Sequence, residues 1–243
     1  MQFVTHPERN QPMKGLPGLP HTAAGAAALA AACLLVAAQP PPVPIFDGKT
    51  LHGWHWSKTN HHGTNGSATV EDGAITLRQH PYGQGGLLLT DKRYKNFDLT
   101  VDVKAPWGCN SGIFFRSTEG GSAYQIELNP GSNNAGLIGE NMRVSKSAVA
   151  ANIGKVWKDN DFNTFRLRVE GDAPHITLWV NGEQMWDVTE PINDKVAGET
   201  SGYIGLQLHW GVVYQNTPGA FAMNAWKPGA AYQFRNIAIE ELP

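Results

Sequence analysis

The chain has 243 residues, 41% hydrophobic and 16% charged, with a formal net charge of −2 at pH 7. That composition is globular and excludes a disordered or fibrous chain. It contains no basic tract, which argues against a nucleic-acid partner.

Residues 1–38 read as a secretory signal peptide. A polar leader carrying Arg9 and Lys14 precedes an Ala-rich apolar run from Ala23 to Ala38. The run ends on the small residues Val36-Ala37-Ala38 before Gln39. It is too short and too closely flanked by Pro to be read as a bilayer span, and a retained anchor is the alternative. Cys33 follows three alanines and offers a lipid attachment point. The apolar run continues through Leu34-Leu35-Val36, however, so a lipoprotein is the lesser reading. The expected product is exported, periplasmic or secreted, with no transmembrane span after processing. About 205 residues then remain, enough for one domain with a real core. Cys109 is the one cysteine left, so no intrachain disulfide can form and the fold rests on its core.

Residues 39–44 are a stiff Pro-rich linker. From 45 to 243 turn signals recur at short spacing: Asp47-Gly48, Asp72-Gly73, Gly85-Gly86, Gly120-Gly121, Gly171-Asp172 and Asn181-Gly182. The stretches between them alternate with a period of two, the pattern of half-buried strands. Asp72-Gly73 predicts a hairpin between 68–71 and 74–79. Phe97–Lys104 is the cleanest strand. Phe165, Leu167 and Val169 alternate with Arg166, Arg168 and Glu170, and Ile176, Leu178 and Val180 alternate with Thr177, Trp179 and Asn181. Asn181-Gly182 suits a two-residue hairpin turn, because both residues tolerate positive φ. Near the end, Phe234–Ile239 breaks alternation, and a bulge near Arg235-Asn236 would restore it. Roughly a dozen strands and no helix of length predict an all-β fold: a two-sheet antiparallel β-sandwich.

Seven short stretches, in order from about 45 to 240, resemble one family, the 3-keto-disaccharide hydrolases. They are Ile45-Phe46-Asp47-Gly48-Lys49-Thr50-Leu51 with Gly53-Trp54; Asn110-Ser111-Gly112-Ile113-Phe114-Phe115-Arg116; Tyr124-Gln125-Ile126; Phe162-Asn163-Thr164-Phe165-Arg166; Trp179-Val180-Asn181-Gly182; Gly205-Leu206-Gln207 with His209; and Phe234-Arg235-Asn236-Ile237. The resemblance implies a concanavalin-like jelly roll and cleavage of 3-keto-glycosides. Family members often carry acids flanking the Tyr-Gln-Ile strand; here those positions are Ala123 and Leu128, and Glu127 and Asn129 are the nearest polar residues.

Strand parity sorts the site candidates. Tyr124, Ile126 and Leu128 share one face, and Gln125, Glu127 and Asn129 the other. Phe114 and Arg116 share a face, as do Gln207 and His209. By family fold, such polar faces form the concave sheet where sugar lies. Glu127 is the candidate base, His209 the acid or second base, and Arg116 the holder of a developing oxyanion. Asn110, Gln125 and Gln207 would orient hydroxyls, while Trp107, Trp210 and Trp179 would offer flat surfaces to sugar C–H faces. Trp226 is also placed near a cleft rim. A two-carboxylate mechanism with Glu140 as partner of Glu127 ranks below this. His52 and His55 could meet a metal, but the histidines of 51–63 (His52, His55, His61, His62) match no zinc signature and read as a solvated loop. A divalent metal held by Glu127 and His209 on the sheet is the other cofactor site the residues allow, and a nucleophilic Cys109 is disfavoured. The alternative function is a non-catalytic carbohydrate-binding module of the same fold. A structural or adhesion sandwich ranks third.

Overall fold

In a computed structural model, the described residues are 41–145, 147–211 and 226–243. The leader read over 1–38 and the first two linker residues lie outside them. The strands, in chain order, are β1 (Val43–Pro44), β2 (Trp54–Trp56), β3 (Ser67–Glu71), β4 (Ala74–Arg78), β5 (Gly86–Tyr94), β6 (Phe97–Lys104), β7 (Ser111–Ser117), β8 (Ala123–Leu128), β9 (Leu137–Glu140), β10 (Asn163–Glu170), β11 (His175–Val180), β12 (Glu183–Thr189), β13 (Gly202–Leu208) and β14 (Tyr232–Glu241). Among the described residues the only helices are two single-turn 3₁₀ segments, and no helix is long and apolar enough to cross a membrane.

Every strand pairing is antiparallel. One sheet has eight strands, in the order β12-β11-β10-β6-β14-β4-β3, with β1 also paired to β14; the other has six, in the order β2-β5-β13-β7-β8-β9. This is the two-sheet jelly-roll sandwich expected from the turn spacing. The core lies between the sheets. Leu99, Val101 and Val103 of β6, Phe165, Leu167 and Val169 of β10, and Ile176, Leu178 and Val180 of β11 face Ile113, Phe115, Tyr124 and Ile126 of the six-stranded sheet. Fully burying one such side chain contributes about 1.5–3 kcal/mol, so the stacked alternation is the main driving force for the fold.

The local signals are realised as read. Asp72 and Gly73 (φ +50° and +75°) turn between β3 and β4, and Asn181 and Gly182 (φ +51° and +84°) between β11 and β12. In β14 the register with β6 shifts between Arg235 and Ala238, with Asn236 at φ +51°. One irregularity was not legible. Arg116 sits at φ +49° and interrupts the β7–β13 register, so it does not share a face with Phe114 as strict alternation predicts.

Candidate functional site

The six-stranded sheet buries one face against the core and turns the other outward. On β8 the core side carries Tyr124, Ile126 and Leu128, so Gln125 and Glu127 project outward, as parity requires. Leu87, Leu89, Phe114 and Ala123 form a small apolar patch on that outer face. Around it lie polar side chains that are nevertheless buried: Gln125, Gln207, Glu127, His62, Asn110 and His209. Burying polar groups costs free energy unless they are hydrogen-bonded, so this concentration calls for a functional explanation.

Three glycines allow the assembly. Gly112 of β7 stands opposite Glu127 of β8. A Cβ at Gly112 would meet the Gln125 amide nitrogen at 2.2 Å, so the missing side chain lets Gln125 lie across β7. Its Nε2 then donates to Gln207 Oε1 (3.3 Å). The Gln207 amide in turn rests 3.2 Å from His62 Nε2. Gly85 holds two loops together: a Cβ there would sit 2.5 Å from the carbonyls of both His62 and Leu208. A Cβ at Gly63 would likewise sit 2.7 Å from the Gly85 carbonyl. That tight packing brings His62 beside His209, with ring centroids 5.8 Å apart. Asn60 clamps the turn, accepting from the His62 backbone N–H (2.9 Å) and donating to the carbonyls of Ser57 and Gly63.

Glu127 is held at both oxygens. Asn129 Nδ2 donates to Oε1 (3.0 Å) and Asn133 Nδ2 to Oε2 (2.8 Å). Asn134 fixes that loop by accepting from the Asn129 backbone N–H. Two buried acceptors, Gln125 Oε1 and Asn129 Oδ1, have no partner among the described residues. Each such atom costs about 1–3 kcal/mol, a cost that a ligand hydroxyl would remove.

Burial depresses His62 to about 3 and His209 to about 4, with neighbouring imidazoles adding to it, so both rings are neutral near pH 7. His209 Nδ1 accepts from the Gly211 backbone N–H (3.1 Å), which puts the ring proton on Nε2. Glu140 ends β9 at the corner of this face. Burial, then the charge of Glu127, pushes its carboxyl up to about 7. Its Oε1 lies 3.1 Å from His61 Nε2 and 3.8 Å from His62 Nε2. Trp210 stacks on His209 with 22° between the rings and is 40% exposed, so it edges the face. Trp107, also 40% exposed, lines a shallow groove with Pro130, Trp157 and Asp159 next to the loop that carries the Glu127 clamps. Other concavities, along β1 and β14, bring together Val43, Ile45, Tyr94 and Ile239 with a Lys92–Glu241 ion pair, and offer no convergent acid–base groups.

Of the residues singled out in the sequence, Glu127, Gln125, Gln207 and His209 share this face, and Asn110 is buried at the head of β7. Arg116 does not join them. It is fully buried, and its guanidinium donates to the carbonyls of Lys95 (2.8 Å) and Gly171 (2.7 Å) and to Asn96 Oδ1 (3.3 Å). The left-handed backbone at this residue turns the side chain out of the alternation, and its guanidinium ties loops together instead of joining the polar cluster. Trp179 also lies elsewhere. It projects from the outer face of the other sheet, where the Arg166 guanidinium covers its ring at 4.8 Å. Trp226 is fully buried, in contact with Tyr232, and forms part of the core rather than a rim. The histidine loop is not solvated throughout, since His62 is 2% exposed. His55 stands apart, between Asp91 (2.7 Å) and Glu119 (3.1 Å). Cys109 is buried, and burial raises its thiol to about 11, the opposite of an activated nucleophile. Sequence reading missed the roles of Asn133, Asn60 and Gly85; the run Asn129-Pro130-Gly131-Ser132-Asn133-Asn134 was the available signal for the first.

Residues 41–240 match the model of a family described as the 3-keto-alpha-glucoside-1,2-lyase-like domain. A 3-keto-disaccharide hydrolase of Bacteroides thetaiotaomicron is 35% identical over 82 residues, which cover 32% of this chain and 28% of that protein's length. A solved structure of a candidate glycosyl hydrolase from Parabacteroides distasonis superposes with a TM-score of 0.54 at 19% identity, over 83% of this chain and 94% of that one. A Bacillus subtilis protein with a galectin-like fold superposes with a TM-score of 0.50 at 10% identity, over 77% and 89%. At such identities the two structures speak for the fold alone.

Proposed function

The chain belongs to the 3-keto-alpha-glucoside-1,2-lyase-like domain family, and from that premise we propose that it is an exported enzyme cleaving 3-keto-disaccharides or other 3-keto-glycosides by base-assisted elimination and hydration. The observation that carries this reading is the gathering of Glu127, Gln125, Gln207, His62 and His209 in buried positions on the outer face of one sheet.

A carbonyl at C3 of the sugar acidifies the hydrogen on C2. Glu127, oriented by Asn129 and Asn133, removes that proton, and the electron pair moves onto the C3 oxygen as an enolate. The enolate collapses, forming the C1–C2 double bond and breaking the bond from C1 to the departing oxygen. The proton gained by Glu127 is available to that oxygen. Water then adds across C1–C2, so the net change is hydrolysis. Arg116 being elsewhere, the enolate oxygen is stabilised by neutral donors: the His209 Nε2–H and the amide groups of Gln125 and Gln207. A neutral imidazole can serve as such an electrophile. Gln125 Oε1 and Asn129 Oδ1 accept from sugar hydroxyls, and Trp210 and Trp107 cover apolar sugar faces.

Purified protein from Gln39 onward is expected to release free glucose from 3-keto-trehalose or 3-keto-lactose and none from the unoxidised parents. Binding of the keto-sugars without turnover would replace the enzyme with a carbohydrate-binding module, the second reading favoured by the partnerless acceptors alone.

A further inference from the structure

We propose that His61, His62 and Glu140 bind a divalent first-row transition metal, of the zinc, cobalt or manganese kind, at the rim of the polar face. The ligand atoms of these three residues all lie within 4.8 Å of one another. Both imidazole Nε2 atoms lie near the same carboxylate oxygen, at 3.1 and 3.8 Å. Two donors bound to one ion at about 2.0–2.1 Å with tetrahedral angles stand roughly 3.4 Å apart. The two histidine–carboxylate spacings are within a few tenths of an ångström of that value, and the histidine pair, no more than 4.8 Å apart, has to draw in by at most about 1.4 Å to close on an ion.

The donor set selects the metal. Imidazole nitrogen suits zinc, cobalt, manganese or iron, whereas calcium and magnesium prefer oxygen alone. Three protein ligands leave coordination positions open, the arrangement of a catalytic rather than a structural site. Those positions are accessible, because the His61 side chain is 46% exposed while that of His62 is 2% exposed. His61 also has a carboxamide at its other nitrogen, with Asn141 3.1 Å from His61 Nδ1, while the Gln207 amide lies 3.3 Å from His62 Nδ1 and 3.2 Å from its Nε2. Turned by 180°, the Asn141 amide presents its oxygen to the His61 Nδ1–H, the outer contact that fixes a metal-bound imidazole. The loop is already built for it, with Asn60 clamping the backbone of His62 and Gly63 packed on Gly85.

The site stands on these distances. Its task, polarising the keto oxygen of a bound sugar, rests on the catalytic reading above. Chelator-treated full-length protein is titrated with Co²⁺, followed by calorimetry and by the visible d–d absorption of the ion. One Co²⁺ per chain is expected, with the spectrum of a nitrogen–oxygen site. His61→Ala, at a half-exposed residue, and Glu140→Gln, which keeps the shape of the side chain, should each weaken binding at least about tenfold. His52→Ala, at an exposed histidine outside the cluster, should leave it unchanged. No binding by the parent protein, or unaltered affinity in both cluster variants, overturns the proposal. Neither readout involves sugar. A protein that binds Co²⁺ but leaves keto-sugars intact keeps the metal site and loses the catalytic reading; turnover without any metal binding does the reverse.

Discussion

Glu127→Gln should lower turnover of a 3-keto-disaccharide by about 10²-fold or more, since a positioned general base contributes roughly 10²–10⁴-fold. The substitution keeps the length and planarity of the side chain. Asn129 and Asn133 can still contact it by turning their amides, and the backbone pairing of Glu127 with Ala135 and Gly136 does not involve the side chain. The thermal midpoint should therefore change little while the rate collapses, and keto-sugar binding should persist. Steady-state kinetics beside a thermal melt separates the two effects. A variant with parental turnover removes Glu127 from the mechanism, and Glu140, on the same face, becomes the carboxylate to test.

Arg116→Met should show the opposite pattern. Arg116 is fully buried with no carboxylate partner, and burial lowers it to about 10 despite the opposing influence of Tyr124 and Asp172. It holds the carbonyls of Lys95 and Gly171 and the side chain of Asn96, bridging the β5–β6 turn to the β10–β11 turn. Its own carbonyl accepts from the buried Lys195 ammonium. Hydrogen bonds from a charged donor contribute about 1.5–3 kcal/mol each. Methionine keeps the packing of the stem but leaves those acceptors unpaired. Relief of the desolvation cost offsets part of the loss, and a net destabilisation of about 3 kcal/mol remains. For a domain of this size that lowers the melting midpoint by about 10 °C. The kcat of the surviving folded enzyme should stay within a few-fold of the parent. A stable Arg116→Met protein with collapsed kcat would return the residue to the active site.

The fold was legible because its signals are local. Alternation in 97–104 and 165–180 and the Asp72-Gly73 and Asn181-Gly182 turns each depend on neighbours in the chain, and β6, β10 and β11 follow them. Face assignment for Gln125, Glu127 and Gln207 was legible for the same reason. Arg116 defeated it because a single left-handed residue cancels parity, and nothing in Phe114-Phe115-Arg116 announces positive φ. Trp179 defeated it because alternation tells which face of a strand a residue occupies and not which sheet the strand joins. The histidine loop was misread because its burial comes from contacts distant in sequence: Gly63 against Gly85, Gly85 against Leu208, and His62 against Gln207, 145 residues away. Such long-range contacts leave no periodic trace.

Elimination at the polar face of the six-stranded sheet begins with removal of the C2 proton of an oxidised sugar. Turnover of 3-keto-trehalose in deuterated water, followed by NMR against an enzyme-free control, tests it most directly. The released 3-keto-glucose is expected to carry deuterium at C2, because that hydrogen is lost to Glu127 and replaced from solvent when water adds. Release of product with its original C2 hydrogen intact would mean direct displacement at C1, and would contradict elimination as the chemistry of this site.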